Sequence, residues 1–452
     1  MKIKLYRSST VEINLDGFKI LTDPWLTDGE YYGSWSHYPP FDISKNIKNL
    51  NDIKSIYISH IHPDHCSIET LKKLKKTIPV YIHKFHAPFL RKKIELAGFS
   101  KINELNHGEK YFLDEKKKIS LEIYAADDCN PELCYKFTGC ADKRKKNQSQ
   151  QIDTLSVLSY QGKNLVNLND CPYELAKFPL KKIKKKFNNI DILLTGYGGA
   201  GPYPQCFDNL NKKEKIIEAK KKEKQFLNQA ISYINILNPN YYLPFAGTYT
   251  LTGKLSAKQN LRGVPSIDDA YKYIDNYIEE KKLMTKSIKI NLEEEFDLNN
   301  PESTKAYKKI SNVKYEEYIK NILSKKKLDY ENDDIPNEDE LFKYAQEAFN
   351  RYLKKRKEMN SKIDSQIIFD LNLNKVVVID NIKNKIYLKD KNYCTQDKYI
   401  KLKIDSRLFA RILKGPKYAH WNNAEIGSHI SYYRSPNIFD RNLHLSLCYF
   451  HI

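Results

Sequence analysis

Apolar and polar residues alternate along much of the first 250 positions, and this pattern predicts a series of short strands. The segment TVEINLDGFKILTDP holds two alternating runs joined by Asp16 and Gly17, a pair that favours a two-residue hairpin turn. The segment LSVLSYQGKNLVNLND predicts a second hairpin with Gly162 at its turn. Shorter apolar runs predict further buried strands (SIYIS, VYIHK, KISLEIYAA, DILLTGY and YYLPFAG), and the lysine-rich segment 212–237 has the spacing of a long helix.

Many of these predicted strands end in a polar or glycine-rich cluster. The clusters read TDP, SHIHPDH, NLND, GYGGAG and PFAGTY. In layered proteins of strands and helices, functional groups tend to lie on loops at strand ends, where a rigid sheet holds them in place. We therefore expect these loops to meet at one edge and to form one site.

The pattern changes after about residue 260. Two long helical segments, SIDDAYKYIDNYIEEKK and NEDELFKYAQEAFNRYLKKRKEM, precede an alternating stretch that predicts a small antiparallel meander, SQIIFDLNLNKVVVIDNIKNKIYLKD. A chain of 452 residues is also too long for one ordinary core. We predict a metal-binding catalytic domain over 1–260 and a helical domain with a small antiparallel sheet over 261–452, which would act as a substrate lid.

Composition narrows the class of protein. The chain contains no apolar run long enough to span a membrane, and its first residues lack the apolar core of a signal peptide, so we expect a cytoplasmic protein. The net charge of +20 invites a nucleic-acid partner, but the lysines are spread along amphipathic segments. This spread favours a solvated surface, with attraction of an anionic substrate as the alternative. Eight irregularly spaced cysteines fit reduced thiols better than a disulfide framework.

Three of the 11 histidines fall within six residues, in the stretch HIHPDH that follows a predicted strand. His60 and His62 lie two positions apart and should point the same way, while Asp64 and His65 lie on the turn beyond Pro63. Imidazole nitrogens and carboxylate oxygens suit zinc, iron or manganese. Two neighbouring pairs of donors predict two metal ions roughly 3.5–4 Å apart.

These residues resemble the HxHxDH signature of the metallo-β-lactamase superfamily, and ILTDPWL and NLVNLNDCP resemble two further elements of that fold. The resemblance covers about residues 1–250. It implies an αββα sandwich, of mixed α+β and α/β character, with its metals at one edge and a smaller α+β domain behind it. It also implies that Asp170 bridges both metals and that Asp23 orients a ligand histidine from outside the ligand shell.

A narrower resemblance joins SHYPP, IDTLSVLSYQGKNLVNLNDC, GYGGAGPYP and YYLPFAG to the lactamase-like part of the CMP-N-acetylneuraminate hydroxylase family. That family hydroxylates the acetyl group of a sugar nucleotide, and it also carries a Rieske domain with paired Cys-x-His and Cys-x-x-His ligands. No such combination of both motifs occurs in this sequence. An oxygenase of this sequence would therefore need an external electron donor, such as a ferredoxin-like or reductase partner.

The sequence departs from dizinc hydrolases of the superfamily at two positions. Those enzymes have a further histidine before the NLND strand, where this chain offers Asp153, and another after the PFAG strand, where it has Thr248. The set of potential metal ligands is thus poor in histidine and rich in carboxylate. Such a set favours O₂ activation by iron over hydrolysis by a zinc-bound hydroxide. Asp128 and His37 are candidate replacement ligands.

Two other segments are candidates for binding substrate. Glycines of the loop after DILLTGY, namely Gly198, Gly199 and Gly201, would let the backbone approach an anion, and Tyr203 follows them; a tight turn without a ligand is the alternative. The segment YAHWNNAEIGSHISYY adds His420 and His429, which could close over the metals.

The combined prediction is a diiron oxygenase that hydroxylates an amino- or N-acyl-sugar nucleotide, or a similar small anionic substrate, with Asp64 and Asp170 at the catalytic centre. A dimetal hydrolase of ester or phosphodiester substrates uses the same ligands and is the first alternative. A non-catalytic protein that binds metal or nucleic acid is the second, and nucleic acid is disfavoured because nuclease relatives of this fold carry the histidines that are absent here.

Overall fold

A computed structural model describes residues 1–138, 149 and 152–452. The strands are, in chain order, β1 (Lys2–Arg7), β2 (Thr10–Leu15), β3 (Phe18–Thr22), β4 (Trp35–Ser36), β5 (Ser55–Tyr57), β6 (Val80–His83), β7 (Ile102–Leu105), β8 (Tyr111–Phe112), β9 (Ile119–Ala125), β10 (Thr154–Tyr160), β11 (Lys163–Asn167), β12 (Ile192–Gly196), β13 (Tyr241–Phe245), β14 (Thr250–Leu251), β15 (Lys286–Ser287), β16 (Glu295–Asp297), β17 (Gln366–Asp370), β18 (Lys375–Asp380), β19 (Lys385–Asp390), β20 (Tyr399–Lys403) and β21 (Ser431–Ser435).

The helices are α1 (Glu30–Gly33), α2 (Ile43–Asn51), α3 (Ile68–Lys73), α4 (Phe89–Leu96), α5 (Pro131–Thr138), α6 (Tyr173–Lys186), α7 (Lys212–Leu237), α8 (Ile267–Glu280), α9 (Asn312–Asn321), α10 (Glu338–Glu358), α11 (Ser406–Leu413), α12 (Trp421–Ile426) and α13 (Arg441–Leu447). Short 3₁₀ segments cover Gly253–Leu261, Pro301–Ser303, Leu323–Lys325 and Asp329–Asn332. None of the helices in these described ranges combines the length and the apolar character that crossing a bilayer requires.

Two seven-stranded sheets form the first part of the molecule, in the orders β16-β1-β2-β3-β5-β6-β7 and β15-β13-β12-β11-β10-β9-β8. Both predicted hairpins are confirmed. Asp16 and Gly17 join β2 to β3 with φ of 51° and 92°, and Gln161 and Gly162 join β10 to β11 with φ of 49° and 75°. Positive φ at both turn residues matches the right-handed twist of the paired strands, so the sequence sets the register locally.

Apolar side chains of the two sheets meet face to face, among them Ile3 and Ile13 from one sheet and Leu165 and Leu243 from the other. Helices α2, α3 and α4 cover the outer face of the first sheet, and α6, α7 and α8 cover that of the second. The predicted αββα sandwich is therefore present, because each sheet is apolar on both faces and must be covered on both.

The sandwich extends further along the chain than the boundary predicted at residue 260. Helix α8 packs on the second sheet, β15 pairs with β13, and β16 pairs with β1, so the segment up to Asp297 completes the sandwich. The following part contains a five-stranded sheet in the order β19-β18-β17-β20-β21. Strands β17 to β19 form the predicted meander, but β20 pairs parallel to β17, so this sheet is mixed and not purely antiparallel.

The C-terminal part packs directly on loops of the sandwich. Its apolar core is continuous with four aromatic residues of the sandwich. Trp25 and Tyr249 lie on loops, Tyr31 lies in α1 and Trp35 lies in β4. The edge strand β21 also exchanges backbone hydrogen bonds with residues 206–208 of the sandwich, at 2.8 and 2.7 Å. The two parts thus share one apolar core at the edge where the sequence predicts the site.

Candidate metal centre

The predicted metal-binding residues meet at one edge of the sandwich. The chain leaves β5 just before His60, enters β10 just after Asp153, and leaves β11 just before Asp170. Because β10 runs antiparallel to its neighbour β11, the start of one strand and the end of the other lie at the same edge. The alternation of strand directions therefore brings these side chains together although they are up to 110 residues apart.

One group of potential ligands consists of His60, His62 and Asp153, whose donor atoms lie within 4.8 Å of one another. His60 Nε2 is 2.9 Å from His62 Nδ1 and 3.9 Å from Asp153 Oδ1. Asp153 thus lies next to the first two histidines, and its role as a replacement for the missing third histidine stays a prediction.

A second group consists of His60, His65 and Asp170. His65 Nε2 lies 3.3 Å from Asp170 Oδ1 and 3.6 Å from Asp64 Oδ2. Two donor atoms that bind one tetrahedral ion at about 2.1 Å lie about 3.4 Å apart, so these spacings fit a shared ion. The Asp170 side chain is 35% exposed and is the most accessible of the group.

The charges at this edge fit a cation. Burial, and then repulsion from Asp170, raise the pKa of Asp153 to about 8. Burial opposes protonation of His65, yet Asp170, Asp64 and Asp23 raise its pKa well above the usual value. Among the described residues, Asp64, Asp153 and Asp170 have ion-pair contacts with histidines only. A positive ion would satisfy these carboxylates, and burial, which lowers the pKa values of His60 and His62, keeps both imidazoles in the neutral form that binds metals.

Asp23 supports this group from behind. Its fully buried carboxylate accepts hydrogen bonds from the backbone N–H of Ser59 at 2.7 Å and from the Ser59 hydroxyl at 2.8 Å. It also contacts His65 Nδ1 at 2.9 Å. With this contact on one side of the His65 ring, Nε2 faces Asp64 and Asp170. The orienting role that the family resemblance implies for Asp23 stays a prediction.

We expect the substitution Asp23→Asn to lower metal affinity about 10- to 100-fold, because an amide cannot reproduce both the Ser59 contacts and the charge beside His65. Competition with a chelator of known affinity measures the effect. Asp16→Asn, a substitution at the exposed hairpin turn, is the control. Equal affinity in Asp23→Asn and in the control would contradict the orienting role.

Tyr31 is a site residue that sequence reasoning missed. Its hydroxyl donates a hydrogen bond to Asp64 Oδ1, and its ring packs 4.4 Å from that of Trp35. Tyr31 and Tyr32 both have left-handed backbone conformations, with φ of 52° and 59°, which are costly for residues other than glycine. Gly29 and Gly33 flank the pair, and this spacing is the one sequence signal of a special turn.

Residues of the C-terminal part hold this turn in place. His429 Nε2 lies 2.7 Å from the Tyr31 carbonyl oxygen, and His429 Nδ1 lies 3.2 Å from the Tyr330 hydroxyl. The backbone N–H of His420 donates to the Tyr32 hydroxyl at 2.7 Å. Both ring nitrogens of His429 therefore bind protein groups, so the predicted substrate contact is replaced by a structural one.

Two predicted replacement ligands lie outside both groups. Asp128 pairs with Lys182 at 2.6 Å and with His107 at 3.1 Å, although β9 ends beside the start of β10 at the same edge. His37 is buried with its ring 4.1 Å from that of Trp25. Neither side chain joins the ligand groups of the described residues.

The glycine-rich loop has a packing reason for its composition. A Cβ atom at Gly199 would overlap the Phe226 ring of α7, and one at Gly198 would lie 3.1 Å from Val264 Cγ1. Gly201, with φ of 111°, faces open space, and the Tyr203 hydroxyl donates to Glu218 at 2.7 Å. Packing against Phe226 of α7 accounts for Gly199, and packing against Val264 accounts for Gly198, in both cases without a ligand.

Comparison with known proteins agrees with the geometry. Residues 2–246 match the family model of the beta-lactamase superfamily domain. A cytidine monophosphate-N-acetylneuraminic acid hydroxylase from Xenopus laevis is 27% identical over 250 residues, which are 53% of this chain and 36% of the relative. The corresponding protein of Danio rerio is 26% identical over 53% of this chain and 37% of its own length. The match thus spans little more than a third of the length of these relatives.

Solved structures are similar to the chain at a lower level. CmlA, a diiron beta-hydroxylase from Streptomyces venezuelae, has a TM-score of 0.38 at 13% identity, over 63% of this chain and 52% of its own. An isothiocyanate hydrolase from Delia radicum gut bacteria has a TM-score of 0.42 at 14% identity, over 66% of this chain and 98% of its own. TM-scores this low do not inform on the reaction. With more than half of its length matched by the family model and with the HIHPDH residues gathered at the sheet edge, this chain belongs to the metallo-β-lactamase branch of the beta-lactamase superfamily.

Proposed function

We propose that this protein is a metal-dependent oxygenase that hydroxylates a small anionic substrate, with His60, His62, Asp64, His65, Asp153 and Asp170 as the ligands of two iron ions. The observation that carries the proposal is the make-up of the two ligand groups. Each contains two histidines and one aspartate with His60 common to both, so the six proposed ligands are three histidines and three aspartates. Two histidines and one carboxylate are the ligand set of many non-haem iron oxygenases, whereas dizinc hydrolase sites are richer in imidazole.

Side chains of this chain prepare the site for such ions. The Tyr31 hydroxyl holds Asp64 Oδ1, which leaves Oδ2 facing His65. Asp23 holds the other side of the His65 ring. When bound, a pair of iron ions supplies the redox chemistry that O₂ activation needs. The exposed carboxylate of Asp170 marks the side from which O₂ and substrate reach the centre.

The proposed substrate class is an amino- or N-acyl-sugar nucleotide, and two observations support it. The relatives with 26–27% identity are named for the hydroxylation of a cytidine monophosphate sugar. The net charge of +20 also favours the approach of an anionic molecule. Electrons would come from a separate ferredoxin-like or reductase partner.

The test is metal analysis combined with O₂ uptake. We expect protein purified from iron-rich, zinc-poor medium to hold about two iron ions per chain. We also expect it to consume O₂ when a reductant and a cytidine monophosphate sugar are present, with a product heavier by one oxygen atom. Asp153→His is the matched variant, because it restores an imidazole-rich set and should shift the preference towards zinc and abolish O₂ uptake.

A tightly held zinc pair with ester or phosphodiester turnover, and without O₂ uptake, would replace the oxygenase proposal with the hydrolase alternative. Zinc content alone does not decide, since zinc binds many such sites more tightly than Fe²⁺ does. The comparison of both activities in iron-loaded and zinc-loaded protein therefore decides between the two reactions.

A further inference from the structure

A cavity of about 460 Å³ lies beside the metal centre, between the sandwich and the segment that links it to the C-terminal part. Its size falls within the range of small-molecule sites. The walls are formed by β13 and the loop after it, by the starts of helices α8 and α9, and by the segment 307–311. None of the six proposed metal ligands lines it.

An aromatic layer separates this cavity from the metal centre. Tyr249, which lines the cavity, stacks on Trp35 with ring centroids 3.6 Å apart, and Trp35 packs on Tyr31. Tyr31 in turn donates to Asp64. Three aromatic rings in series, those of Tyr249, Trp35 and Tyr31, would thus separate an occupant of the cavity from Asp64.

The cavity lining is strongly basic. The lining contains one acidic residue, Asp268. Its five cationic residues are Arg7, Arg262, Lys308, Lys309 and Lys314. Arg7 is paired with Glu293 at 2.9 Å. Within the described part of the chain, no ion pair involves any of the other four. Four cationic residues of the lining therefore have no carboxylate partner among the described residues.

Arg262 and His37 are buried polar groups that point to a ligand. The Arg262 residue is 8% exposed, and its guanidinium donates only to backbone carbonyl oxygens, those of Gln259 and Tyr249. His37 is 3% exposed, and its Nε2 atom has no hydrogen-bond partner among the described residues. A buried cation without a carboxylate partner and a buried ring nitrogen without a hydrogen-bond partner are costly, and an anionic ligand would lower this cost.

Two helix N-termini reach the cavity, and that of α9 adds to the positive potential, whereas the first turn of α8 carries Asp268 and Asp269. Ser266 caps α8, Ser311 caps α9, and both residues line the cavity. Backbone N–H groups at such ends attract phosphate. Tyrosine rings and aliphatic side chains complete the walls, among them Tyr38, Tyr197, Tyr307 and Tyr315 with Val264 and Ile290. These surfaces suit a planar ring.

We propose that this cavity is a second ligand site that binds a nucleoside monophosphate, with the phosphate near the helix ends and the lysines and with the base among the tyrosines. This inference does not depend on the chemistry of the metal centre. Phosphate is the group that guanidinium, lysine and helix ends recognise together. The aromatic layer places the ligand where it can influence the position of Tyr31.

The test is calorimetric titration of the full chain, both metal-loaded and chelator-treated, with AMP and CMP. Adenosine and inorganic phosphate serve as comparison probes. We expect at least one nucleotide to bind both forms of the protein more than tenfold more tightly than either comparison probe. The double variant Lys309→Ala/Lys314→Ala should weaken nucleotide binding about tenfold, since both side chains are exposed and their loss spares the core.

The matched control is Lys181→Ala/Lys185→Ala on the exposed face of α6, which removes the same charge far from the cavity. His37→Phe is the second variant, and it should weaken binding without changing the net charge. The proposal would be overturned by the absence of nucleotide binding at millimolar concentration, by binding that disappears on metal removal, or by equal weakening in the control. Binding of phosphate alone as tightly as the nucleotide would also overturn it.

Discussion

Asp170→Ala is expected to empty both metal positions, whereas Asp153→Ala should empty only one. Asp170 Oδ1 lies 3.3 Å from His65 Nε2, and the family resemblance implies that its carboxylate bridges both metals. Asp153 Oδ1 lies 3.9 Å from His60 Nε2, and no bridging role is implied for it. We expect Asp170→Ala to lower metal affinity by more than about 100-fold, beyond the loss typical of an outer partner. Metal-to-protein ratios after gel filtration measure both variants.

Asp170 suits this experiment because its partly exposed side chain can be removed at little cost to the fold. The matched control is Asp128→Ala at the same edge, because Asp128 pairs with Lys182 and His107. We expect the control to keep full metal content. If Asp170→Ala retained both ions, or if Asp128→Ala lost one, the ligand assignment would be wrong.

Residues close in sequence could be predicted, and residues joined only by packing could not. The HIHPDH stretch follows a strand, and its spacing alone places three imidazoles and a carboxylate side by side. Asp153 was predicted by resemblance as a replacement for a histidine, and the structure brings it to His60. Asp128 lies equally near a strand end in sequence, but a lysine 54 positions away determines its contacts.

The contribution of the C-terminal part shows the same limit. Its meander was predicted from alternation, because neighbouring antiparallel strands need only local turns. The parallel pairing of β20 with β17 and the extension of the sandwich to Asp297 depend on contacts across long stretches of chain, which no local pattern encodes. The contact of His429 with Tyr31 spans 398 positions, so a histidine expected to bind substrate instead holds a turn.

We expect His429→Ala to destabilise the protein and to weaken the metal centre although His429 touches no metal ligand. Burial lowers the pKa of His429 to about 4, so the ring is neutral at pH 7, with Nε2–H donating to the Tyr31 carbonyl and Nδ1 accepting from Tyr330. The variant leaves two buried polar groups without partners, which costs about 2–4 kcal/mol in the free energy of unfolding. Without this contact the left-handed backbone at Tyr31 can relax, and the hydroxyl leaves Asp64.

A double-mutant cycle with Tyr31→Phe separates this coupling from a general loss of stability. Tyr31→Phe removes only the hydroxyl that donates to Asp64, and we expect it to lower metal affinity about tenfold while the fold stays intact. If His429 acts through Tyr31, the His429→Ala substitution should lower metal affinity in the wild-type background and have little further effect in Tyr31→Phe. Additive losses of metal affinity would show that His429 supports the centre by another route, because the two effects combine only partially when they share one hydrogen bond.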